Sequence, residues 1–208
     1  MKNLIIIGAG GMGRSYFDLA KESKGYGVEF RIKGFIDDDL MVLNGFKNYP
    51  ALLGKICDYE PEFNDVFISS IGGAARIICC ETIAQRGGKF INLIHNTARI
   101  GTNVSLGYGN LIAAYVALGA DSKIGNFNMI QSYSVIGHDT LISNFVRIDT
   151  HVICVGGTKI YDKATIHSNS VINHKVIINS GATVGAQSFV IRSVPEGETV
   201  FGTPARKL

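Results

Sequence analysis

From Ile94 to Val190 every sixth residue is apolar, seventeen positions in one unbroken register. With 46% of the chain apolar, chance gives such a run about one time in 10^5 after allowing six phases. Four residues after each of these anchors stands a second set, from Ala98 to Val194, in which no residue is charged or large. A six-residue period fits neither an α-helix nor the two-residue alternation of a lone strand, so this part of the chain is a repeat. A hexad cannot bury a face alone and must stack on copies of itself. The expected fold is a parallel β-helix in which each hexad forms one side of a coil. The anchors point inward, the smaller set fills the corners, and successive coils lie ~4.8 Å apart. Gly101, Gly107, Gly119, Gly125, Gly137 and Gly185 directly follow anchors, where tight turning of the chain is expected.

The first ninety residues read differently. Leu4-Ile5-Ile6-Ile7 is a buried strand running into Gly8-Ala9-Gly10-Gly11-Met12-Gly13, followed by a helix through Tyr16, Phe17, Leu19 and Ala20 that ends near Gly25. A second strand ends in Phe35-Ile36-Asp37-Asp38-Asp39, and a short helix over 51–56 leads to a third strand, Asp65-Val66-Phe67-Ile68-Ser69-Ser70. Ile71-Gly72-Gly73 opens a helix over 74–85 that Gly87 and Gly88 close. Alternating strands and helices imply a small three-stranded parallel sheet, Rossmann-like, with ligands at the carboxyl ends of its strands. The domain division is therefore 1–90 and 91–208. The glycine loop matches the dinucleotide fingerprint in its proper place between strand and helix. Its N–H groups and the helix N-terminus suit a phosphate. Asp37 and Asp38, at the end of the next strand, are placed to accept bonds from a ribose or base. Only three strands are present, with no second mononucleotide half, which favours a bound nucleotide over a hydride cofactor.

A formal charge of +3 with 18% charged residues provides no basic stripe for nucleic acid. Four cysteines, Cys57, Cys79, Cys80 and Cys154, show neither CxxC spacing nor a disulfide framework. No apolar run has transmembrane length, and the N-terminal apolar stretch meets glycine too soon for a signal peptide. The expected compartment is the cytoplasm.

The hexads resemble those of the hexapeptide-repeat acyltransferases, a family whose left-handed β-helix has triangular coils of eighteen residues. Seventeen hexads then make between five and six coils. The Gly8 to Gly13 loop, Phe35-Ile36-Asp37-Asp38, Ile71-Gly72, Asn92-Leu93-Ile94-His95, Gly137-His138-Asp139 and Gly202-Thr203-Pro204-Ala205 resemble one branch of it. That branch holds the sugar acetyltransferases of the sialic-acid and bacillosamine (PglD-like) type. The resemblance implies a homotrimer with active sites in the clefts between helices, acetyl-CoA as cosubstrate, no metal, and a UDP-amino-sugar whose nucleotide sits on the N-terminal domain. Gly8, Gly10, Gly11, Met12, Gly13, Asp37, Asp38, Ile71 and Gly72 are then the nucleotide-sugar residues. Two departures stand out. Met12 occupies a place where relatives often have histidine, and so does Arg147, nine residues after His138.

Acetyl transfer from a thioester needs a base for the acceptor's proton and a donor for the oxyanion. The resemblance makes His138 the base and Asp139 its partner, a carboxylate that fixes the tautomer. One coil further, in the same column, stands Gly156, the expected oxyanion donor. A second coil brings His174, ~9.6 Å from His138, close to the path of coenzyme A. Arg192, Gly202, Pro204 and Arg206 are expected to hold the cofactor's far end. For His95, His151 and His167 a surface role without chemistry is expected. Arg147 cannot act as a base at neutral pH and either binds an anionic substrate group or pairs with Asp149. The expected reaction is N-acetylation of a UDP-4-amino-sugar for surface-glycan synthesis. Sialic-acid-type O-acetylation and a non-catalytic nucleotide-binding β-helix are the alternatives. A zinc carbonic anhydrase on the same fold requires two histidines five residues apart, and this chain has no such pair.

Overall fold

In the computed structural model, which describes residues 1–208, the N-terminal aliphatic run becomes strand β1 (Lys2–Ile7). Helix α1 (Gly11–Lys21), β2 (Phe30–Ile36), β3 (Asp65–Ser69), α2 (Gly73–Gln85) and β4 (Lys89–Phe90) follow. The chain divides into two units, Met1–Leu93 and Ile94–Leu208. In the first, a parallel sheet has the order β2-β1-β3-β4. Leu4, Ile5, Ile6 and Ile7 are wholly buried, as a strand covered on both faces requires. The crossover from β1 runs to β2 on one side and that from β3 runs to β4 on the other, which opens a switch point between the carboxyl ends of β1 and β3.

Three expectations for this unit need correction. The sheet has a fourth strand, the two-residue β4, paired with Val66 and Phe67. Strand β2 stops at Ile36, and Asp37 to Asp39 lie in the loop beyond it. No helix forms over 51–56. The segment follows Pro50 and bridges the free edge of β2 instead, with Phe35 N–H donating to Ala51 O (3.1 Å) and Leu53 N–H to Phe35 O (2.7 Å). An unpaired strand edge offered these groups better hydrogen bonds than one isolated turn.

A buried ionic cluster ties β2 to β3. The Asp65 carboxylate has no exposed side-chain surface. It accepts bonds from the Tyr59 hydroxyl (2.7 Å), the Glu62 N–H (3.0 Å) and the Lys33 ammonium (3.1 Å). Burial pushes this carboxyl up, but those donors outweigh it and hold the group below the usual aspartate range. A depressed folded pKa gives stability that is present above about pH 4 and lost as pH falls through the folded value. Asp65→Asn is expected to cost about 2 kcal/mol at pH 7. Melting followed from pH 7 to pH 3 should show a shallower acid decline in the variant than in the parent.

In the second unit each hexad supplies a two-residue strand that ends on its anchor. Val135 and Ile136 pair in parallel register with Ile153 and Cys154, eighteen residues on. Repetition of that step gives three parallel sheets, the sides of a triangular left-handed β-helix. Every anchor from Ile112 to Val190 is buried, and Ile94, Ile100 and Leu106 pack partly buried against the same core. Burial pushes the Cys154 thiol up to about 12, so this anchor serves as a small hydrophobe. The second set satisfies the corner peptides: the Asn128 N–H donates to Asn110 Oδ1 (2.8 Å) and the Val146 N–H to Asn128 Oδ1 (2.8 Å). After Val190 the chain closes with a hairpin, Thr199–Gly202 against Ala205–Lys207.

The turn geometry differs from expectation. The residue with positive φ lies three positions after the anchor, as at Asp121, Tyr133, Asp139 and Gly157, and is mostly not glycine. Stacking along the corners holds some of these residues: the Tyr115, Tyr133 and His151 rings lie 5.0 and 4.9 Å apart. The glycines directly after anchors have another task. A Cβ on Gly119 or Gly137 would stand 2.5 Å from the backbone nitrogen of His138 or Gly156, respectively. They are glycine because neighbouring coils approach closely there. No helix in either unit is long and apolar enough to cross a membrane.

Candidate active site

Three successive coils turn the same corner through His138 with Asp139, Gly156 with Gly157, and His174 with Lys175. Main-chain bonds lock the stack: Gly157 N–H donates to His138 O (2.8 Å) and Lys175 N–H to Gly156 O (3.2 Å). Asp139 sits in the left-handed region at φ +56°. Its Oδ2 lies 2.6 Å from His138 Nδ1. With Nδ1 donating to that carboxylate, Nε2 is the unprotonated nitrogen of the neutral ring. Both side chains are about two-thirds exposed.

The imidazole leans over the next coil. A Cβ on Gly156 would stand 2.6 Å from His138 Nε2 and 2.7 Å from Cε1, so the ring occupies the space that any side chain at 156 would need. At another corner, the equivalent N–H groups of Asn126 and Asn144 donate to the side chains of Asn144 (2.9 Å) and Asp162 (2.7 Å), one coil on. Gly156 is buried, yet the residue one coil on is His174, and no hydrogen bond takes the Gly156 N–H. The base nitrogen and a free main-chain donor therefore meet at one notch, the arrangement that acyl transfer requires.

The other residues expected near the cofactor stand further along the β-helix. Arg192 continues it three coils beyond His138. With Arg206, Lys207 and Glu198 it lines a cleft at the end of the β-helix, where Gly202 and Pro204 turn the closing hairpin. Arg147 does pair with Asp149, its Nε 2.7 Å from Oδ1. The same carboxylate also receives the Gln131 amide (3.0 Å) and holds His167 Nδ1 at 2.9 Å. His167 is thus not an idle surface residue, which corrects the expectation. Its partner stands one coil earlier in the same column, a signal present in the spacing. His151 stacks on Tyr133, and His95 is buried with Nδ1 accepting the Thr97 N–H (3.1 Å).

In the first unit the glycine loop follows β1 and opens α1, which has no side-chain cap and no acid in its first turn. Gly8 and Gly13 are packing residues. Gly8 has φ +93° with Ser70 Oγ where its Cβ would be, and the Gly8 carbonyl blocks any Cβ on Gly13. Gly10 faces open space and Gly11 nearly so, which leaves the N–H groups around Met12 accessible to an anion. Helix α2 opens likewise, with Gly72 as an uncapped N-cap after Ile71. The two aspartates have internal roles. Asp37 accepts the Ala9 N–H (2.7 Å) and the Asp39 N–H (3.0 Å), holding the glycine loop, and Asp38 Oδ1 accepts the Ile56 N–H (3.0 Å).

Residues 3–76 match the family model described as the PglD N-terminal domain. Among solved structures, the chain is similar to the acetyltransferase domain of PglB from Neisseria gonorrhoeae FA1090, with 26% identity, all of both chains covered and a TM-score of 0.91. That domain has also been solved in complex with acetyl coenzyme A. WeeI from Acinetobacter baumannii AYE is 28% identical over the whole of both chains, with a TM-score of 0.88. The GDP-perosamine N-acetyltransferase of Caulobacter crescentus shares the fold at 23% identity, over 100% of this chain and 97% of that one, with a TM-score of 0.88. Comparison with curated protein sequences gives no significant match.

Proposed function

We propose that this chain, which belongs to the PglD-like branch of the hexapeptide-repeat sugar acetyltransferases, moves an acetyl group from acetyl-CoA to the amine of a UDP-4-amino-sugar. The observation that carries the reading is the notch at Gly156, where His138 Nε2 and an unpaired N–H converge. The acceptor's amine attacks the thioester carbon while His138 Nε2 takes its proton. Asp139 holds the ring in that tautomer and steadies the imidazolium. The carbonyl oxygen gains negative charge and receives the Gly156 N–H. As the intermediate collapses, the C–S bond breaks and the sulfur of coenzyme A takes the proton back from His138.

Binding follows the same division of labour. The nucleotide diphosphate lies on the Gly10 and Gly11 backbone, between the open ends of α1 and α2. Coenzyme A runs along the column past His174 towards Arg192 and Arg206. The assembly is a homotrimer. In support, one β-helix face carries Val135, Ile153, Val155, Phe189 and Ile191, each more than a third exposed. An exposed apolar stripe of this kind suits an interface between copies of the chain, and it runs beside the His138 column. Four free cysteines suit a reducing cytoplasm.

The test supplies acetyl-CoA with a panel of UDP- and GDP-linked amino sugars and follows release of the free thiol. UDP-4-amino-sugars are expected to give the fastest turnover. Transfer only to hydroxyl acceptors, or none to any sugar, contradicts the reading.

A further inference from the structure

Above Gly156 and Gly157 the next coil carries Lys175, a residue outside the dyad and its donor. The residue is exposed, but its stem does not stand straight out from the coil. A Cβ on Gly157 would stand 3.1 Å from Lys175 Cγ and 4.0 Å from Cε, so the lysine stem lies back across Gly157 towards the coil of His138. Gly157, at φ +72°, has no side chain to stop it. Lys175 makes no ion pair and no side-chain hydrogen bond, so its ammonium is uncommitted. The two glycines form a floor with His138 leaning in from one coil and Lys175 from the other.

We infer that Lys175 is a second oxyanion donor, acting with the Gly156 N–H on the thioester oxygen. The inference rests on the acetyl-transfer reading above. One main-chain N–H supplies a single hydrogen bond, whereas the tetrahedral oxygen accepts more than one and carries a full negative charge. The ammonium on a stem that lies over Gly157, the neighbour of Gly156, answers both needs. No bond is made or broken at Lys175: its three protons stay in place, and His138 alone carries the proton from the amine to the departing sulfur. Because the charge exists only after attack, the contribution falls on kcat rather than on acetyl-CoA binding.

Steady-state kinetics on Lys175→Met and Lys175→Arg test this, with the fastest acceptor of the panel and with calorimetric titration of coenzyme A. Lys175→Met is expected to lower kcat about a hundredfold and leave the coenzyme A affinity within about twofold. Lys175→Arg is expected to recover part of the loss. Unchanged kcat in Lys175→Met, or a raised KM for acetyl-CoA with kcat intact, overturns the inference and leaves the transferase reading standing. A parent protein that turns over no acceptor overturns both.

Discussion

His138→Ala is expected to lower kcat about 10^3-fold, within the range that a positioned general base contributes. The loss should come without unfolding. The imidazole is about two-thirds exposed, and the coil it decorates is held by main-chain bonds on either side, Gly137 N–H to Cys154 O (2.7 Å) and Gly157 N–H to His138 O (2.8 Å). Thermal melting of the variant should match the parent, and its affinity for coenzyme A should survive. Rates measured on the acceptor that the parent prefers decide the matter. Turnover within tenfold of the parent would assign the base elsewhere.

Gly156→Ala should cost about 10^2-fold in kcat, although it adds one methyl group. The backbone at 156 is not left-handed, since Gly157 and not Gly156 carries the positive φ, so alanine meets no main-chain strain. The methyl instead lands 2.6 Å from His138 Nε2, and one of the two must move. The ring has solvent to swing into and the β-helix has none to spare, so the imidazole is displaced from the donor it should share the substrate with. A misplacement of about 1 Å is enough for a loss of this size. Kinetics paired with melting check it: stability close to the parent with a large fall in kcat is expected. A structure of the variant should show His138 rotated away from the column.

The six-residue period made the β-helix legible because each side of a coil shows one residue to the core per hexad. The eighteen-residue column that follows from it brings His138 and Gly156 to one corner. The same arithmetic links Asp149 with His167 and Asp139 with Lys175, but an exposed histidine and lysine carry no mark that separates a held side chain from a free one. The corners were harder to read. Positive φ is signalled by glycine or asparagine, whereas here Tyr133, Phe145 and Lys175 occupy it, held by stacking and by the adjacent coils. In the first unit, Asp37 follows β2 and reads as a candidate ribose ligand, and no pattern in the sequence reveals that its Oδ2 also accepts the Ala9 N–H. The missing helix over 51–56 has a similar cause, since pairing with the edge of β2 is a non-local choice.

The most direct measurement is a crystal structure of the His138→Ala protein with intact acetyl-CoA. The thioester oxygen is expected about 2.9 Å from the Gly156 nitrogen, with the acetyl carbon facing the space the imidazole left. A thioester bound on any other face of the β-helix would contradict the pairing of these two coils, and the chemistry proposed for the notch would fall with it.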